Sequence, residues 1–267
     1  METPEEIKKV VRDKYSGIAL QSQKQAGSCG CGCNDNIDYS ILSDDYNQVK
    51  GYVPEADLGL GCGLPTQYAF IRPGDVVVDM GSGAGNDCFI AARETGASGR
   101  VIGIDMTEAM VSKARENAKK LDYKNVEFRL AEIENTTLDE NSVDVVVSNC
   151  VFNLAPDKTA AFQETFRILR PGGHLSISDI VTDGILPEAL LKEAEMYAGC
   201  VSGALEEGQY LEMIRQTGFR DVTVMEKRKT ELPAEITDRY GVTEELNKPG
   251  SAGLYSITVF AKKPHNL

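Results

Sequence analysis

The segment from Asp75 to Gly96 constrains the fold more than any other part of the chain. DVVVDM (75–80) is an unbroken apolar strand pattern, GSGAG (81–85) comes directly after it, and NDCFIAARETG (86–96) reads as a helix that stops at its glycine. A strand that runs through a glycine loop into a helix opens a βαβ unit, because the loop must turn tightly and bring backbone close to a ligand. The alternation then continues. VIGID (101–105) is a second strand, and TEAMVSKARENAKKL is a helix with Thr107 as its N-cap. VEFRL (126–130) and VDVVVSN (143–149) are the third and fourth strands. KTAAFQETFRILR is the next helix, stopped by Pro171-Gly172-Gly173, and HLSISDIV is the fifth strand. Strands that are apolar throughout and separated by helices predict an α/β fold: a doubly wound, mostly parallel sheet covered on both faces.

The flanks have other patterns. Residues 4–14 predict a short helix with Ile7, Val10 and Val11 on one side, and QSQKQAGSCGCGCNDN is a polar, glycine-rich loop carrying Cys29, Cys31 and Cys33. After residue 184, PEALLKEAEMYAGC and EGQYLEMIRQTG read as helices, and VTVMEKR and YSITVFAKK as two closing strands. The expected division is an N-terminal cysteine-bearing segment and cleft cover (1–70), a cofactor domain (71–183) and a smaller C-terminal α+β region (184–267). Charge narrows the partners. With 28 basic against 41 acidic residues the net charge is −13, which argues against nucleic acid and anionic membranes. The N-terminus has no apolar leader pattern, and no stretch approaches the ~20 apolar residues of a membrane span. A cytoplasmic location is expected, with the seven cysteines as thiols or ligands rather than a disulfide framework.

The glycine loop carries a further signal. The second strand ends in Asp105, about 20 residues beyond the loop, where a carboxylate can accept both ribose hydroxyls of an adenosine-containing cofactor. A dinucleotide loop reads GxGxxG, whereas this one reads DxGxGxG, with Asp79 ahead of the glycines. It resembles the first motif of the class I (Rossmann-like) S-adenosylmethionine-dependent methyltransferases, and ILRPGGHLSISD is similar to a later segment of the same family. The resemblance implies S-adenosylmethionine as cofactor. It places Gly81, Ser82, Gly83 and Gly85 beside the methionine moiety, with Asp79 helping to hold the ammonium group. Asp105 and Met106 are implied on the ribose side, Glu132 and Ile133 flanking the adenine, and Asn149 facing the methyl group.

The cysteines divide by position. Cys88, inside the first helix of the cofactor domain, reads as a small buried hydrophobe. Cys62, Cys150 and Cys200 lie in three separate segments on the carboxyl side of the sheet, where doubly wound folds bind ligands. GLGCGLP, SNCVFNL and AGCVSGA resemble the three cysteine motifs of the arsenite S-adenosylmethionine methyltransferases, and the likeness runs from Tyr39 onward. It implies that Cys62, Cys150 and Cys200 are the catalytic ligands of trivalent arsenic, with arsenite and methylarsenite as substrates. It also implies a thiol reductant of thioredoxin or glutathione type. The chemistry agrees: trivalent arsenic is soft, binds three sulfurs in a pyramid and keeps a lone pair at the apex. With only His174 and His265 present, a Cys/His hydrolase is excluded. If Cys62 lies on a mobile upstream segment, it is the natural ligand to be released or exchanged after the first methyl transfer. Cys29, Cys31 and Cys33 read either as arsenic-capturing or reducing thiols or as a loosely metal-binding tail. Two other readings share the fold: a carbon or oxygen methyltransferase of the quinone-biosynthesis type, and a metalloid or zinc binding protein without turnover.

Overall fold

The computed structural model describes residues 3–25, 46, 49, 51–191, 203–232, 234–246, 248 and 252–265. Cys29, Cys31, Cys33 and Cys200 lie outside the described residues, as does most of the helix expected over 187–200.

Eight strands form one sheet: β1 (Val76–Met80), β2 (Arg100–Asp105), β3 (Val126–Leu130), β4 (Val143–Asn149), β5 (Leu169–Asp183), β6 (Leu205–Glu206), β7 (Arg220–Thr230) and β8 (Gly253–Lys262). The order is β3-β2-β1-β4-β5-β8-β7, with β6 paired to β5. β1 to β5 run parallel, while β8 lies antiparallel between β5 and β7. The expected doubly wound sheet is present, and the two closing strands extend it. The strand order reverses between β1 and β4, and at such a switch point a crevice opens beyond the carboxyl ends.

Side chains alternate across each strand, so continuous apolar strands feed two cores. Val78, Met80, Ile102, Ile104 and Val146 point into one core. There they meet Phe162 and Ile168 of α4 (Lys158–Ile168), and Tyr210 and Ile214 of a later helix, Glu207–Thr217. Val77, Val101, Val145 and Val147 point the other way. Their partners are Phe89 and Ala92 of α2 (Asn86–Thr95) and Val111 and Ala114 of α3 (Glu108–Lys120). A third cluster, with Val11, Cys62, Cys150, Leu154, Ile180 and Leu254, stands apart from both cores.

Three local expectations change. The N-terminal helix α1 spans Pro4–Gln25 rather than ending near residue 14. Thr3 and Glu6 form a capping box at its start, with Thr3 N–H donating to Glu6 Oε2 at 2.6 Å, and no proline interrupts the helix beyond its first position. Pro171-Gly172-Gly173 lies within β5, because α4 ends at Ile168. The three residues form a bulge, since the pairing with β4 jumps from Val143↔Leu169 to Val145↔His174. Thr107 occupies the N-cap of α3, but its side chain makes no capping bond to the helix.

Candidate active site

The crevice at the switch point holds most of the sequence-predicted cofactor residues. Its cavity encloses about 1020 Å³ of space between atoms, open solvent included. Asp79, Gly81, Ser82, Gly83, Asp105, Met106, Ile133 and Asn149 all line it. Two glycines explain the loop. A Cβ at Gly85, where φ is +99°, would come within 2.8 Å of the Phe128 ring. At Gly83, with φ +51°, a Cβ would meet only open space, so this backbone is bared to the cavity. Gly85 itself caps α2 and does not line the cavity. Glu132 turns outward instead, to Lys8 of α1 at 2.6 Å, while Ile133 and Glu134 form that part of the wall. Lys8, Val11 and Tyr15 thus bring α1 over the cofactor crevice.

Three carboxyls converge here without an ion-pair partner among the described residues. Asp105 is tied to the loop, accepting from the Gly83 N–H at 2.9 Å and the Thr107 N–H at 2.8 Å. Burial raises its pKa, and these donors pull it back. Asp79, 2% exposed, is pushed well above the carboxylate range by burial and then by the neighbouring Asp87. Asp87 is raised to about 6 by burial, offset in part by hydrogen bonds from Tyr46 and Asn149. Buried carboxyls of this kind favour a cationic ligand, whose charge replaces the lost water. Cys88 is more than filler: its thiol donates to Asp79 Oδ2 at 3.3 Å, and burial pushes its own pKa up.

Two of the three singled-out thiols meet. Cys62 Sγ, Cys150 Sγ and an Asp179 carboxylate oxygen lie within 4.8 Å of one another, all buried, and Cys150 reaches the cavity wall. Cys150 directly follows β4, in the left-handed region at φ +60°, a conformation that costs a non-glycine residue roughly 1–2 kcal/mol. Its N–H is anchored on Ser178 C=O at 2.8 Å.

Cys62 is packed within the fold and hydrogen-bonded through its backbone. Its N–H donates to Asn149 Oδ1 at 2.9 Å, its carbonyl accepts from the Ser256 hydroxyl, and the side chain is fully buried. The flanking glycines are needed for this approach: a Cβ at Gly61 would fall 2.6 Å from Asn149 Nδ2, and one at Gly63 would strike Ser178. Asn149 Nδ2 also donates to Gly63 C=O at 2.7 Å and contacts Tyr46 Oη at 2.5 Å and Asp87 Oδ2 at 3.3 Å. Asn149 therefore ties the thiol turn to the glycine-loop side of the crevice. Sequence reasoning missed Tyr46, Asp87 and Asp179. Only Asp179 left a trace, as a lone acid inside the apolar strand SISDIV.

Residues 71–218 match a family described as a methyltransferase domain. An arsenite methyltransferase of Halobacterium salinarum is 41% identical over 98% of this chain and 68% of its own length. One from Aquipseudomonas alcaligenes is 35% identical over 91% of this chain and 69% of its own. The chain belongs to the arsenite methyltransferase family. An arsenic(III) S-adenosylmethionine methyltransferase from Chlamydomonas reinhardtii superposes with a TM-score of 0.66 at 32% identity, covering 85% of this chain and 74% of that one. As a member of this family the protein is an S-adenosylmethionine-dependent methyltransferase. The bared Gly83 backbone and the unpaired acids suit a cationic, adenosine-bearing cofactor. Among the described residues no helix is long and apolar enough to cross a membrane.

Proposed function

We propose that this arsenite methyltransferase binds trivalent arsenic through Cys62 and Cys150, with Cys200 as third thiolate, and methylates it from the adjoining crevice. The observation that carries the reading is the approach of Cys62 and Cys150, from segments 88 positions apart in sequence, to within 4.8 Å of each other, with Cys150 at the cavity wall. Each thiol that forms an As–S bond replaces an arsenic hydroxyl and releases water. Two sulfurs fix the position of the arsenic, one on the hydrogen-bonded Cys62 turn and the other, that of Cys150, at the wall of the crevice that the glycine loop also lines.

Asp79 and Asp87 hold the cationic end of the cofactor, Asp105 its ribose, and Ile133 and Glu134 the wall beside the base. S-adenosylmethionine bound there would supply a methyl group on a cationic sulfur: the arsenic lone pair would form the bond to the methyl carbon as the carbon–sulfur bond breaks, and the sulfur would leave as the neutral thioether S-adenosylhomocysteine. No proton need move in that step, so positioning is the protein's main contribution, where alignment recovers several kcal/mol of barrier. Loss of the lone pair is formally a two-electron oxidation of arsenic. A pair of thiols from a thioredoxin- or glutathione-type reductant returns those electrons and leaves as a disulfide. The test is arsenite-dependent methyl transfer from labelled cofactor. Cys150→Ser is expected to abolish it, because a hydroxyl is a hard and weakly acidic ligand, and full activity in that variant would remove Cys150 from the site.

A further inference from the structure

Asp179 is unexplained by arsenic chemistry. It is fully buried on β5, one position beyond Ser178, the register partner of Asn149 at the end of β4. Its carboxylate is held by three donors: the Asn153 N–H and the Tyr210 hydroxyl on Oδ2, at 3.1 and 3.2 Å, and the Ile180 N–H on Oδ1 at 3.1 Å. Tyr210 is itself fully buried, and its hydroxyl is used on this one carboxylate. A carboxylate has about four acceptor positions, and uncharged donors fill three of these. The remaining capacity lies beside the sulfurs of Cys62 and Cys150.

Arsenic takes sulfur in preference to carboxylate oxygen, so Asp179 is a poor third ligand for it. A mixed set of two sulfurs and one oxygen suits a borderline divalent cation. Zinc binds sulfur at about 2.3 Å and carboxylate oxygen at about 2.0–2.2 Å, with tetrahedral ligands about 3.5–3.8 Å apart. Small rotations of the two thiols bring a group already within 4.8 Å to that spacing. The donors behind Asp179 form the hydrogen-bonded outer layer that a ligating carboxylate needs. A divalent cation also adds to the compensation of this buried carboxylate, which the Lys158 charge supplies in part.

We infer that Cys62, Cys150 and Asp179 form a binding site for zinc-group divalent cations, Zn²⁺ and Cd²⁺, overlapping the arsenic position. Cation and arsenite are then mutually exclusive occupants, and Zn²⁺ or Cd²⁺ inhibits methyl transfer by competing with arsenite. The site shares two cysteines with the arsenic reading but rests on cation binding alone.

Cd²⁺ is the probe, because thiolate ligation gives an ultraviolet charge-transfer band. The full chain carrying Cys29→Ser, Cys31→Ser and Cys33→Ser removes the other clustered thiols. Cd²⁺ titration of this protein is expected to saturate at one ion per chain, and arsenite to remove the band. Outer-layer changes alone cost ~10–100-fold in metal affinity, so losing the ligand in Asp179→Asn should weaken Cd²⁺ by at least about 100-fold. Arsenite affinity should move less than about threefold, since arsenic keeps its sulfurs. If Asp179→Asn does not fold, Tyr210→Phe reads the same point, with Cd²⁺ about tenfold weaker and arsenite unchanged. Unchanged Cd²⁺ affinity, or a parallel loss for Cd²⁺ and arsenite, overturns the inference. Cd²⁺ binding without arsenite binding to the parent protein would instead sink the arsenic reading and leave this site standing.

Discussion

Asn149→Ala tests the link between the thiol turn and the cofactor crevice. The Asn149 amide makes two bonds to the Cys62 turn, accepting from the Cys62 N–H at 2.9 Å and donating to Gly63 C=O at 2.7 Å. In the variant Gly63 C=O must share the single Tyr46 hydroxyl proton, 3.0 Å away, with the Asp87 carboxylate, and the Cys62 N–H loses the Asn149 acceptor. An orphaned buried donor costs about 1–3 kcal/mol and a lost ordinary bond about 0.5–1.5, so the variant should lose roughly 2–4 kcal/mol of stability. At about 2–4 °C per kcal/mol for a chain near this size, Tm should fall by roughly 4–16 °C. The looser turn misplaces Cys62, so arsenite affinity should drop, and because Asp87 also loses a donor at 3.3 Å, cofactor affinity should drop as well, while the Asp105 contacts stay intact. Thermal melts with calorimetric titration of each ligand measure both effects. A variant with unchanged Tm and unchanged arsenite binding would refute the claim that Asn149 holds the turn.

Asp105→Ala removes a charged acceptor, worth about 1.5–3 kcal/mol or roughly 10–150-fold in S-adenosylmethionine affinity, and unchanged affinity by calorimetry would contradict its role. Because Cys62 is pinned between Asn149 and Ser256, Cys62→Ser should lose activity toward arsenite and methylarsenite alike; retained methylarsenite turnover would mean that this thiol is exchangeable after all. Asp87 gives a pH dependence. Its folded value of about 6 lies above the ordinary 3.8, so the folded protein binds the extra proton and the stability contribution is full below pH 3.8 and lost as pH rises through 6. Stability of the cofactor-free protein, read by denaturant titration against Asp87→Asn, should therefore fall relative to the variant across that window, and parallel curves would show that Asp87 ionises normally.

Much of this protein is legible in its sequence because the relevant physics is local. Apolar strands, helices that stop at glycine, and a loop that needs φ above zero are each specified within a dozen residues, and together they lead to the doubly wound sheet and its crevice. The motifs around Cys62 and Cys150 single out these thiols through their likeness to the cysteine motifs of the family. Tertiary structure decides what lies between distant segments. The Asn149 bonds to the Cys62 turn span 87 and 86 positions, the Tyr210 bond to Asp179 spans 31, and the Ser256 bond to Cys62 spans 194. No periodicity encodes such pairs, since each depends on which strand ends become neighbours. For that reason the sequence leaves Cys62 looking mobile and Asp179 looking incidental. The packed sheet pins the first between β4 and β8 and sets the second against two sulfurs.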